Sequence, residues 1–120
     1  MERAIQEKSF DFAVRIVNLC RFLREEKKEF VLTKQLLRSG TSIGANVAES
    51  QQAQSRADFI SKLEIALKEC YETEYWLEVL YNVNAIEDCT YNNLNNKCGK
   101  IRRKLIASVT TAKENGHTNS

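Results

Sequence analysis

The chain has 120 residues, no proline, four glycines and a formal charge of +2, which leaves room for one hydrophobic core and not for a second domain. So small a net charge neither demands nor excludes a polyanionic partner, and any such role must rest on local clustering. With the usual chain punctuators scarce, the pattern permits a few long helices.

The opening residues MERAIQEKSF alternate charge with apolar side chains, unlike the basic leader and apolar run of a secretory signal, and no stretch approaches membrane-spanning length. The expectation is a cytoplasmic chain with no membrane role. Helix 1 is expected from Ser9 as N-cap, with Ala13, Ile16, Cys20 and Leu23 on one stripe. It ends in the charged run Arg24 to Glu29. Phe30 and Val31 bring the chain around, Thr33 is the expected cap of helix 2, and Leu36, Gly40, Ile43 and Val47 recur at three- and four-residue steps to about Gln52. Ser55 and Asp58 form an S-x-x-D capping box ahead of Phe59, Leu63, Ala66, Cys70, Thr73, Leu77 and Leu80. Asn82 to Asn84 is a polar break. Helix 4 then carries Tyr91, Leu94, Cys98, Ile101 and Leu105, with Asn84 or Glu87 as its cap. From Asn115 onward no apolar residue is left to bury, so 115–120 is expected to be a disordered tail after a single domain over 1–114. Short connections make sequential helices antiparallel neighbours, and the predicted fold is an all-α, up-down-up-down four-helix bundle.

Cys20, Cys70, Cys89 and Cys98 lie 50, 19 and 9 residues apart, with no CxxC pair and no partnering histidine pattern, so zinc is not expected. Three of them fall on apolar stripes, where a reduced thiol serves as a small hydrophobe. Glu25, Glu26 and Glu29 match the EExxE string with which some helical nucleotide pyrophosphatases hold magnesium, and Glu69 with Glu72 adds an ExxE. Such clusters need carboxylates from facing helices, and helix 4 offers acids only at Glu87 and Asp88 near its start. A di-iron site would need inward Glu-x-x-His pairs, and the single histidine, His117, lies in the tail. SGTSIG lacks the lysine and the preceding strand of a phosphate-binding loop. No catalytic, cofactor or metal site is expected, nor a small-molecule substrate.

Gly40, Gly44 and Ala48 instead form a ridge without bulky side chains on helix 2, against which another helix packs closely. Folding helix 2 back on helix 3 brings Arg38 level with Glu69, with Glu72 one turn further on, an ion pair that fixes register. Tyr71, Tyr75 and Trp76 spread around helix 3 beyond what one bundle buries, which points to a subunit interface. From Glu49 to Asp88 there are nine acids against three bases, and from Lys97 to Glu114 six bases against one acid. These two helices neutralise each other within the bundle, pair head to tail between subunits, or leave Lys97, Lys100, Arg103 and Lys104 free for a nucleic-acid backbone.

Phe10 to Leu23, the run QLLRSGTSIGANVAES and the segment FISKLEIALKECYETEYWLEVL together resemble the four-helix-bundle proteins encoded by intervening sequences of bacterial 23S ribosomal RNA genes. The resemblance covers about residues 9–110. It implies an up-down-up-down bundle, homopentameric rings and no established enzymatic activity. The family is similar in turn to the basic, pentameric accessory variability protein of diversity-generating retroelements, which engages a reverse transcriptase and nucleic acid. This chain departs from that relative in its near-neutral charge. The leading expectation is a homo-oligomeric, non-enzymatic accessory protein associated with RNA or with an RNA-binding protein. The alternative is a protein-binding scaffold that never touches nucleic acid.

Overall fold

The structure, a computed structural model, describes residues 3–118, with side chains described for residues 3–116. Four helices follow one another: α1 (Arg3–Glu26), α2 (Val31–Ser50), α3 (Arg56–Asn82) and α4 (Asp88–Thr118). They form a column of 54 × 22 × 21 Å. The contacting pairs are α1 with α2, α2 with α3, α3 with α4, and most sparsely α1 with α4. That is the up-down-up-down order.

Each helix buries one stripe at three- and four-residue spacing. Phe12, Ile16 and Leu23 of α1 meet Leu36, Ile43 and Val47 of α2, Leu63, Leu77 and Leu80 of α3, and Ile101 and Leu105 of α4. Removing each such side chain from water contributes about 1.5–3 kcal/mol. Cys20, Cys70 and Cys98 lie in this core as the apolar pattern predicts, whereas Cys89 is exposed. Burial pushes the Cys20 thiol up to about 11. A hydrogen bond with Cys70, then burial, holds the Cys98 thiol far above its ordinary value.

Three boundaries differ from the sequence reading. Ser9 is not a cap: α1 begins at Arg3, Ile5 is already in the core, and the Ser9 hydroxyl is buried and donates to the Gln6 carbonyl at 3.1 Å. Thr33 does not cap α2 either. It is buried within that helix, donates to the Glu29 carbonyl at 2.8 Å and accepts from Arg24 Nε at 3.0 Å. The cap is supplied by the Glu29 carboxylate, which accepts from the Leu32 amide. In both places a small hydroxyl satisfied by a carbonyl three or four residues back occupies the interior, so residue type alone mimics a cap. At the far end, α4 does not give way at Asn115 but runs to Thr118. Arg56 lies across this last stretch, donating to the Ala112 carbonyl at 3.3 Å and covering Gly116. Residues 119 and 120 lie outside the described residues.

The other boundaries match. Ser55 accepts from the Asp58 amide at 3.0 Å, and Asp58 reaches back to the Gln54 amide at 3.4 Å. After α3, Asn84 adopts the left-handed conformation at φ 62°. The Asn84 amide bonds Tyr81 O and the Ala85 amide bonds Leu80 O, at 3.1 and 2.9 Å. This is a Schellman closure, and it explains the polar break physically. α4 follows from Asp88, which leaves Glu87 as the flanking residue at its start.

Candidate nucleic-acid interface

The two-glycine segment of α2 sets how closely α1 and α2 cross. A Cβ at Gly40 would lie 2.9 Å from two carbons of Ile16, and one at Gly44 would lie 3.1 Å from the Ser9 carbonyl oxygen. On the other side of α2, Arg38 bridges to α3, its Nη1 3.0 Å from Glu69 and its other terminal nitrogen on Glu72. Behind that bridge, the buried Thr73 hydroxyl donates to Ser39 Oγ at 3.0 Å. The register of α2 against α3 is thus held by the Arg38 bridge to Glu69 and Glu72 and one buried hydroxyl pair, with a longer ion pair between Lys62 and Glu49 at 4.0 Å.

α3 and α4 partly neutralise each other. Arg102 pairs with Glu74 at 2.7 Å and its guanidinium covers the Tyr71 ring at 5.5 Å, while Lys113 pairs with Glu64 at 3.0 Å. Tyr71 and Tyr75 remain 53% and 57% exposed. Trp76 is partly buried, edge-on to Tyr75 at 4.9 Å, and its indole N–H has no acceptor among the described residues.

The four basic residues singled out on helix 4 do not form one patch. Lys97 and Lys100 line a groove of about 610 Å³ between α4 and α1, whose opposite wall carries Lys8, Asp11, Arg15 and Asn18. Arg103 is exposed and lies back over Gly99. Lys104 is half-buried, engaged within the fold, and lines a separate trough with Phe59 and Ala107. Among the described residues Lys8, Arg15, Lys97 and Lys100 make no ion pair. The groove therefore gathers four unpaired cations around one acid, Asp11. Its α1 half was missed in the sequence, although Lys8, Asp11, Arg15 and Asn18 recur at three- and four-residue steps along one edge of the helix.

The Glu25-Glu26-Glu29 string does not converge on a ligand, since Glu29 caps α2 and the other two are exposed. Among the described residues no three His, Cys, Asp or Glu side chains stand together as a metal cluster. No helix is long and apolar enough to cross a membrane.

The profile of the 23S rRNA-intervening sequence proteins matches residues 1–107. The chain belongs to that family. A protein of known structure, of unknown function and from the S23 ribosomal protein family of Bacteroides thetaiotaomicron VPI-5482, is 58% identical. It superimposes with a TM-score of 0.86, covering 88% of this chain and 97% of its own. No curated protein matches the chain. Family membership accords with the four-helix architecture and with the glycine-bearing segment of α2 and the α3 segment that carried the resemblance.

Proposed function

We propose that this chain is a non-enzymatic, self-associating bundle that holds a nucleic-acid backbone in the groove between α1 and α4. The observation that carries the reading is the groove itself, with Lys8 and Arg15 facing Lys97 and Lys100 and no carboxylate among the described residues paired to any of them. Cations kept unpaired on two adjacent helices present a local field that the net charge of +2 conceals. The family description concerns an intervening sequence of 23S rRNA, which makes RNA the polyanion to test first, in the cytoplasm where such transcripts reside. Self-association, as the pentamer implied by the resemblance, is supported by the exposed Tyr71 and Tyr75 and by the unsatisfied Trp76 indole.

Fluorescence anisotropy with a labelled RNA at several salt concentrations tests the reading. Binding is expected to weaken with a log-log slope of about −3 for four phosphate contacts. Replacing Lys8, Arg15, Lys97 and Lys100 by glutamine is expected to abolish it at unchanged helical content. A wild type that binds no RNA at low ionic strength overturns the proposal. The second reading, a protein-binding scaffold, is favoured by Phe10 and Val14, which are exposed four residues apart on α1. Light scattering coupled to size exclusion tests assembly, and a mass near 13.8 kDa at micromolar concentration refutes it.

A further inference from the structure

The ridge of α1 that walls the groove does not stop at Asn18. Continuing the same three- and four-residue steps from Lys8, Asp11, Arg15 and Asn18, the next position is Phe22. Its ring is 50% exposed, and it lines a recess with Cys89 and Thr90 in the first turn of α4. Lys27 and the acids Glu87 and Asp88 stand on the same rim, Asp88 accepting from the Tyr81 hydroxyl at 2.7 Å, so this end suits a base face and not a phosphate. The seam between α1 and α4 thus changes character along its length, from cations at one end to an aromatic platform at the other. The distance from Lys8 to Phe22 is about 21 Å along the helix axis. Asn18 stands between the two ends and offers both an amide donor and a carbonyl acceptor.

We propose that this seam takes single-stranded nucleic acid, with phosphates along Lys8, Arg15, Lys97 and Lys100 and an unstacked base resting on Phe22. The inference rests on the backbone-binding reading of the groove and specifies its substrate class. A duplex keeps its bases stacked inside and offers a phenyl face nothing to cover, so the aromatic end contributes only when a base is free to turn outward. Phosphate contacts alone would bind duplex and single strand by charge density, which is higher in the duplex. A groove joined to an exposed ring reverses that order. Sequence preference along the basic stretch remains slight, since lysine and arginine reach the backbone there, while every base has a face that stacks.

The test uses the intact protein with a labelled single-stranded RNA, a duplex of the same length, and heparin as a base-free polyanion. Wild type is expected to bind the single strand at least about tenfold more tightly than the duplex. Phe22→Ala is expected to weaken single-strand binding about 5- to 100-fold and to leave heparin binding unchanged. Phe22→Tyr, which keeps a stacking face, is expected to retain most of the affinity, with circular dichroism confirming the fold of both variants. Equal affinity for single strand and duplex overturns the proposal while leaving the groove reading intact. So does an unchanged single-strand affinity in Phe22→Ala, or a change in that variant's assembly mass in place of its binding. If wild type binds none of the three probes at low salt, the groove reading itself has failed and this inference falls with it.

Discussion

Adding one methyl group at Gly40 and Gly44 of α2 and at Gly99 of α4 separates close packing from mere tolerance of glycine. In a helix interior, glycine to alanine stabilises by about 1 kcal/mol when nothing obstructs the new carbon. At Gly40 the carbon would stand 2.9 Å from both branches of Ile16, well inside the 3.5–4.0 Å of a comfortable carbon contact. Ile16 is fully buried and β-branched, so it has no alternative rotamer to retreat into. At Gly44 the obstacle is the Ser9 backbone carbonyl at 3.1 Å, which moves only if α1 moves. Overpacking of this kind costs about 1–3 kcal/mol, so Gly40→Ala and Gly44→Ala are expected to be net destabilising by about 1 kcal/mol. At Gly99 the nearest atom is the mobile end of Arg103 at 3.2 Å. Gly99→Ala therefore keeps most of the propensity gain and is expected to stabilise by about 0.5–1 kcal/mol. Thermal unfolding at one fixed protein concentration reads the contrast as opposite shifts in Tm, about 4 °C per kcal/mol for a domain of this size. If all three variants gain stability alike, the close crossing of α1 on α2 is refuted.

Ser39→Ala is expected to cost about 1–3 kcal/mol by stranding the buried Thr73 hydroxyl, and Ser39→Ala combined with Thr73→Val to recover most of it; denaturant unfolding of the single and double variants checks this. Asp11→Asn, which removes the one acid from the basic groove, is expected to tighten RNA binding about threefold at low salt, read by anisotropy. Arg38→Ala is expected to lose about 1 kcal/mol or less, because Arg38 is half exposed to solvent; a much larger loss in a thermal melt would show that Glu69 and Glu72 depend on it for burial. In a thiol titration at pH 8, Cys89 is expected to react promptly, and Cys20, Cys70 and Cys98 only on unfolding, because burial keeps all three from the reagent and Cys20 and Cys98 are also raised above the ordinary thiol value.

Much of the fold was legible because a buried stripe must repeat at the helical period, and Ile16, Leu36, Leu77 and Leu105 could face nowhere else. The Arg38 bridge to Glu69 and Glu72 was legible for a related reason: once α2 folds back on α3 through a short turn, register follows by counting residues. The starts of α1 and α2 were not legible. Ser9 and Thr33 are cap-forming types placed in the interior, Ser9 because the backbone of α1 must approach Gly44 closely, and Thr33 because its hydroxyl links Arg24 to the Glu29 carbonyl. The candidate site was half legible. Clustering of bases on α4 shows in the sequence, but only packing decides that Lys97 and Lys100 turn toward α1 while Lys104 is absorbed elsewhere.

Of the four helix pairs in contact, three are hairpins closed by short turns, and only α1 with α4 must find each other across the whole chain. Contacts between residues far apart in sequence form late and carry the largest loop-closure cost. The bundle is thus built like a book with its spine at α2 and α3, and the α1–α4 edge is where it opens. Widening that edge strains no backbone hydrogen bond, since among the described residues every such bond lies within a helix or in the turn next to it. A polymer threaded along the seam could be admitted sideways by a small rotation of α1, and amide exchange would be fastest along the facing edges of α1 and α4.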